Sequence, residues 1–176
     1  AATDLVDTRI LDLAEGDVAR VTVEGPGGPV LTVTRPAPGG ALSLEATLPE
    51  GRIADQDKID LVPSALANLT FDDVQPAAEM PIPQDAPATR FTAFDGREIV
   101  VRSLTKGEGD KAETWIQVTA DTVPPLQAPP ADAATKAADE VKALAAKVAG
   151  WTYKVPSYLA ERFRPTIDGL TKPATS

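Results

Sequence analysis

Apolar residues alternate with polar ones along several stretches of this chain, the two-residue period of a half-buried strand. After a short lead-in from Asp7, Val18, Val21 and Val23 mark a first strand and Val30, Leu31 and Val33 a second. Gly25-Pro26-Gly27-Gly28 supplies the turn of a hairpin between them. Pro36 to Gly40 break the chain, and ALSLEATL reads as a third strand with Leu42, Leu44 and Ala46 on one face. The period then lengthens. Ile59, Val62, Leu66 and Leu69 recur at roughly helical spacing behind Asp55, a residue suited to the N-cap. Pro63 falls inside that pattern, where it removes a backbone donor at a cost of about 3 kcal/mol in a helix interior. A kinked helix or two short turns are therefore expected, and LTFDDVQP returns to an extended form.

The same rhythm recurs later. In TRFTAFDGREIVVRSL, Asp95-Gly96 separates two alternating runs, the signature of a two-residue hairpin turn whose central residues both need positive φ. GEGDKAE is a second polar turn, and TWIQVTAD the following strand. ADAATKAADEVKALAAKVAG predicts a helix with Val141, Leu144 and Val148 on one stripe and Gly150 as its C-terminal cap. WTYKV is a strand by composition, PSYLAERF a short helix opened by Pro156, and the chain trails off in TKPATS. The fold class expected is α+β: two similar β-β-β-α-β halves, Val18 to Val74 and Arg90 to Val155, with mainly antiparallel sheets each packed by a helix. Residues 76–88, with prolines at 76, 81, 83 and 87, read as a connector between a first half at 1–75 and a second at 89–176. One continuous domain is the alternative.

Composition narrows the chemistry. The chain has 176 residues, 43% of them hydrophobic but only 5% aromatic, so its core rests on Val, Leu, Ile and Ala. Seventeen Lys and Arg against 26 Asp and Glu leave a formal charge of −9, which repels a phosphate backbone and an anionic membrane surface. Nucleic-acid binding is not expected. Cysteine and histidine are both absent, which excludes disulfides, thiolate nucleophiles, imidazole bases and N/S metal centres. No apolar run reaches the roughly 18 residues of a membrane span, and AATDLVDTRI carries no signal-peptide pattern.

The remaining polar motifs do not match known chemistry. DQDKID, from Asp55 to Asp60, has neither the glycine nor the glutamate of a calcium loop and reads as a capped, solvated helical face. GPGGP fits no phosphate-binding loop. Lys154 and Ser157 stand in the reverse order of the SxxK pattern. Asp72-Asp73 offers half of a carboxylate pair for glycosidic hydrolysis, with no partner to nominate. No catalytic, cofactor or metal residue is assigned.

Both tyrosines and one of the two tryptophans fall in GWTYKVPSYLAERF. Strand alternation places Trp151, Tyr153 and Val155 on one face, and helical spacing lets Tyr158, Leu159 and Phe163 share another. The first reading is structural, with these rings closing a half and pinning the preceding helix to the sheet. The second makes Trp151, Tyr153, Tyr158 and Phe163 a partner or ligand surface for a peptide, glycan or lipid.

The stretches GDVARVTVEGPGG, ADQDKIDLVPSALANLTFDDV, FDGREIVVR, TWIQV and GWTYKVPSYLAERFRPTIDGL resemble the domain-of-unknown-function family 4340. The first half departs from it: where that family often has a tryptophan, this chain writes ALSLEAT. The resemblance implies an extracytoplasmic domain at the periplasmic face of a bacterial inner membrane, held by an N-terminal helix that precedes this sequence. It also implies an ABC-transporter neighbourhood, with transporter subunits as protein partners, and carries no known activity. The expected function is accordingly non-enzymatic binding or scaffolding. The alternatives are a carboxylate-dependent cell-envelope hydrolase and a carrier of lipid or another small ligand.

Overall fold

The alternating stretches assemble into one large sheet. The computed structural model describes residues 9–11, 13, 15–25, 28–37, 39–66, 69–83, 86–123, 131–156 and 166–174. Its strands are β1 (Arg9–Leu11), β2 (Val18–Gly25), β3 (Gly28–Thr34), β4 (Ser43–Glu45), β5 (Arg52–Ala54), β6 (Leu69–Thr70), β7 (Asp73–Pro76), β8 (Ala88–Ala93), β9 (Arg97–Lys106), β10 (Glu113–Thr122), β11 (Trp151–Val155) and β12 (Thr171–Pro173). The helices are α1 (Gln56–Ile59) and α2 (Ala131–Val148). Eight strands form the main sheet in the order β4-β3-β2-β8-β9-β10-β11-β7, and β1–β6 and β5–β12 are separate pairs. Every pairing is antiparallel. The class is α+β. No described helix is long and apolar enough to cross a membrane.

The first hairpin forms where the glycines and Pro26 place it, with Gly25 opposite Gly28. The second has a longer turn than expected. Thr92 faces Glu98, so the loop is Phe94-Asp95-Gly96, closed by the Gly96 amide donating to the Ala93 carbonyl at 3.2 Å. Gly96 carries φ +95°, as the last position of a three-residue loop requires. Pro63 has the predicted effect: α1 ends at Ile59 and a 3-10 segment, Val62–Leu66, follows it. Asp55 occupies the N-cap in extended geometry but makes no side-chain cap hydrogen bond. In the second helical stretch, α2 ends as predicted, with Gly150 at φ +79° just beyond it.

The principal core lies on one face of the sheet. Val21 and Val23 from β2, Leu31 and Val33 from β3, Phe91 and Ala93 from β8, Ile99 and Val101 from β9, Ile116 and Val118 from β10, and Tyr153 and Val155 from β11 contribute to it. Ile59, Val62, Leu66 and Leu69 cover one part of that face and Val148 of α2 another. The helix packs on β10 and β9.

Two connections differ from the sequence reading. LTFDDVQP does not form one strand: β6 pairs with β1, and β7 travels to the far edge of the sheet beside β11. Both 1–75 and 89–176 thus supply strands to the same sheet, joined by the pairing of β2 with β8. Residues 77–83 begin the return from β7 to β8, which passes three intervening strands. Thr152, fully buried, donates its hydroxyl to the Met80 carbonyl at 2.8 Å, so this proline-rich stretch is a strap tied to the sheet face opposite the principal core. Its own Met80 and Ile82 are buried. TKPATS does not simply trail off. Thr171–Pro173 pairs with β5, and Arg52 Nε donates to Thr171 Oγ1 at 2.7 Å.

Candidate functional site

The two described aromatics of the C-terminal segment have different surroundings. β11 is positioned by α2 and the Gly150 turn, and it pairs with β10 on one side and β7 on the other. Alternation puts Trp151, Tyr153 and Val155 on one face, as expected. Tyr153 and Val155 enter the core, and Tyr153 packs on Phe71 with ring centroids 5.0 Å apart. Burial raises the Tyr153 pKa above its ordinary value of 10.0. Trp151, in contrast, is 43% exposed. The structural expectation that its ring is interior packing is corrected: the pairing of β11 with β10 stops at Tyr153, and the residue opposite Trp151 on β7 is Pro76, the last of its strand. Tyr158 and Phe163 lie outside the described residues. Trp115, the other tryptophan, is 2% exposed, and its indole N–H donates to Glu113 Oε2 at 3.2 Å.

The edge strand β7 begins in acidic residues, with Asp73 opposite Lys154 at the end away from Trp151. Asp72 and Asp73 lead into and begin β7, Glu79 follows its turn, and all three are exposed. Asp73 Oδ1 accepts the amide of Val74 at 2.8 Å, while Pro76 has no amide to offer. The free edge of β7 is therefore poor in donors for an added strand.

Two open clefts lie among the described residues, one at this edge and one beside the β2–β3 hairpin. The first, of about 500 Å³, is lined by Asp72, Asp110, Lys111, Glu113, Lys154 and Pro156, among others. Lys154 Nζ approaches Glu113 Oε1 to 3.5 Å, so both Glu113 oxygens are engaged, one by the lysine and one by Trp115. The cleft juxtaposes Asp72 with carboxylates that sequence reasoning could not nominate, because they come from the turn before β10. Its mixed charges suit a small zwitterionic or polar ligand. The second, of about 410 Å³, is mostly apolar and lies between Val23, Val30, Pro49, Pro87 and Ile167. Trp151 lines neither cleft. Among the described residues, no group of three or more His, Cys, Asp or Glu side chains converges to hold a metal ion.

The remaining charged clusters tie strands together. Arg90 on β8 donates to Glu24 on β2 at 2.6 Å and to Glu98 on β9 at 2.7 Å. The Glu24 hydrogen bond first, and then that of Glu98, raises the guanidinium pKa against the opposing effect of partial burial. Arg97 reaches Asp95 and Glu140 of α2 at 2.9 Å and Asp17 at 3.6 Å. These side chains bridge neighbouring elements.

Comparison with known proteins adds no identification: no family model matches the chain, and neither curated proteins nor solved structures give a significant match. Of the edge residues, Trp151 was legible as a candidate from the clustering of aromatics. Pro76 was not, since only the pairing of β7 with β11 brings it opposite Trp151.

Proposed function

We propose that this chain is a non-enzymatic binding or scaffolding domain whose contact surface is centred on Trp151 at the β11–β7 edge. The observation that carries the reading is the 43% exposure of an indole whose strand neighbours Tyr153 and Val155 are buried. A large aromatic left in water forgoes the gain of burial, and exposed aromatic anchors of this kind dominate the energetics of protein interfaces. With the resemblance to family 4340, the setting proposed is the periplasmic face of a bacterial inner membrane. There the intact protein would be tethered by a preceding helix and would act as an accessory to an ABC transporter.

The two-half architecture belongs to the same proposal. It is supported by the order β4-β3-β2-β8-β9-β10, in which two three-stranded meanders run outward from the central β2–β8 pair. The departure from two-fold order is β7, which leaves its own meander to cap the far edge.

The test is affinity capture of the full-length, membrane-anchored protein in wild-type and Trp151→Ala forms. Transporter subunits are expected with the wild type and strongly reduced with the variant. Equal recovery with both overturns the assignment of the surface, and recovery of none from the wild type overturns the accessory role.

A further inference from the structure

We propose that the open cleft between Asp72 and the 3-10 turn Gly109–Lys111 binds a small zwitterion, an amino acid or short peptide whose ammonium faces Asp72 and Asp110 and whose carboxylate faces Lys111. This goes beyond the contact surface at Trp151, a residue that does not line the cleft. The cleft holds about 500 Å³, within the range of about 300–1,000 Å³ that suits small ligands. Its charges are of both signs, Asp72, Asp110 and Glu113 against Lys111 and Lys154. Among the described residues, one pair is closed. Lys154 Nζ lies 3.5 Å from Glu113 Oε1, and Glu113 Oε2 accepts the Trp115 indole N–H at 3.2 Å. Asp72, Asp110 and Lys111 line the same cleft, yet none has an ion-pair partner among the described residues. A bare cation meets the lysines there and a bare anion meets the carboxylates, whereas a zwitterion completes both kinds of pair at once.

Both walls of the cleft are fixed by the backbone. The Asp72 amide donates to the Lys154 carbonyl at 2.7 Å, which anchors the approach to β7 against β11. On the turn, the Lys111 amide donates to the Glu108 carbonyl at 3.1 Å and the Ala112 amide to the Gly109 carbonyl at 3.2 Å. Gly107 lets the turn close this tightly: its φ is +84°, and a Cβ there would lie 2.6 Å from the Lys111 carbonyl oxygen. The charged side chains that a ligand would meet are mostly exposed, and exposed ion pairs are individually weak. The dissociation constant expected is therefore about 1–10 mM.

The two tryptophans supply the readout. Trp115 is tied to the cleft through Glu113 and Trp151 lines no part of it, so their indole N–H resonances serve as probe and internal control, assigned with Trp151→Phe. Glycine and glycylglycine are titrated into isotope-labelled protein at constant ionic strength. Each is compared with its N-acetylated form, which lacks the ammonium, and its C-amidated form, which lacks the carboxylate. The zwitterion is expected to move the Trp115 resonance saturably and leave Trp151 in place, with each blocked form about three- to fivefold weaker. Whichever of the two zwitterions binds more tightly marks the ligand as amino acid or peptide. Lys111→Gln should weaken the zwitterion to the level of its amidated form and leave the amidated form unchanged, as two changes to one contact do. Lys58→Gln, on α1 near β4 at the opposite sheet edge, should leave all affinities as they are. A wild-type chain that shows no saturable shift with either zwitterion overturns the proposal. So do blocked forms that bind as tightly as the zwitterion, or a Lys58→Gln loss equal to that of Lys111→Gln.

Discussion

The hydroxyl of Thr152 donates to the backbone carbonyl of Met80 across 2.8 Å and accepts from Gln117 Nε2 at 3.0 Å. One buried side chain thus joins the proline-rich strap to β11 and β10. Thr152→Val keeps the shape and removes both hydrogen bonds, leaving the Gln117 amide and the Met80 carbonyl to find other partners. A loss of about 1–3 kcal/mol is expected in chemical denaturation, with faster amide exchange at Ile82. Thr152→Ser should retain most of the stability.

The two tryptophans should separate cleanly. Trp115→Ala removes a buried indole and should cost about 3–5 kcal/mol. Trp151→Ala, at a ring left partly in water, should cost no more than about 1–2 kcal/mol. Denaturation midpoints of the two variants measure the difference, and iodide should quench one component of the wild-type emission while sparing the other. Equal losses of stability would return Trp151 to a packing role.

Tyr153 sets a prediction for alkaline pH. Its phenol ionises less readily in the folded chain, because burial disfavours the charged form and raises its pKa above 10.0. Between the unfolded and folded pKa values the folded state holds the extra proton, so stability is fully present below about pH 10 and falls as pH rises through the folded value. In a Tyr158→Phe background, absorbance of tyrosinate against pH should show a transition displaced upward that returns to normal in denaturant. Tyr153→Phe should abolish this contribution to the alkaline loss.

Gly96 closes the β8–β9 loop at φ +95°, a conformation unfavourable for a residue with a Cβ. Gly96→Ala should destabilise the domain by about 1–2 kcal/mol in thermal or chemical melts. The neighbouring Asp95 should be less critical for stability. Its carboxylate accepts from the Arg97 amide at 3.2 Å and from Arg97 Nε at 2.9 Å, contacts that are only partly buried.

Much of the local structure was readable in advance. The glycine-rich turn between β2 and β3, the break at Pro63, the α2 stripe and its Gly150 terminus all follow from periodicity and turn chemistry within a few residues. The length of the second hairpin loop was misjudged because Asp-Gly suits both a two-residue turn and the end of a three-residue one. The role of the aromatic segment was half legible: alternation gave the correct face for Trp151 and Tyr153, but the sequence does not say that pairing with β10 stops at Tyr153 and leaves Trp151 open.

The sequence by itself therefore determined the element types, the antiparallel α+β character and the exclusion of cysteine and histidine chemistry, since each depends on residue identity or short-range spacing. Tertiary structure alone decided that β7 crosses to β11, that residues 77–83 are tied to the sheet as a strap, and that Arg52 clasps Thr171 at 119 residues' separation. It also decided that one tryptophan is buried and the other open. Those outcomes depend on which distant surfaces pair, and periodicity along a strand constrains its facing side without naming its neighbour.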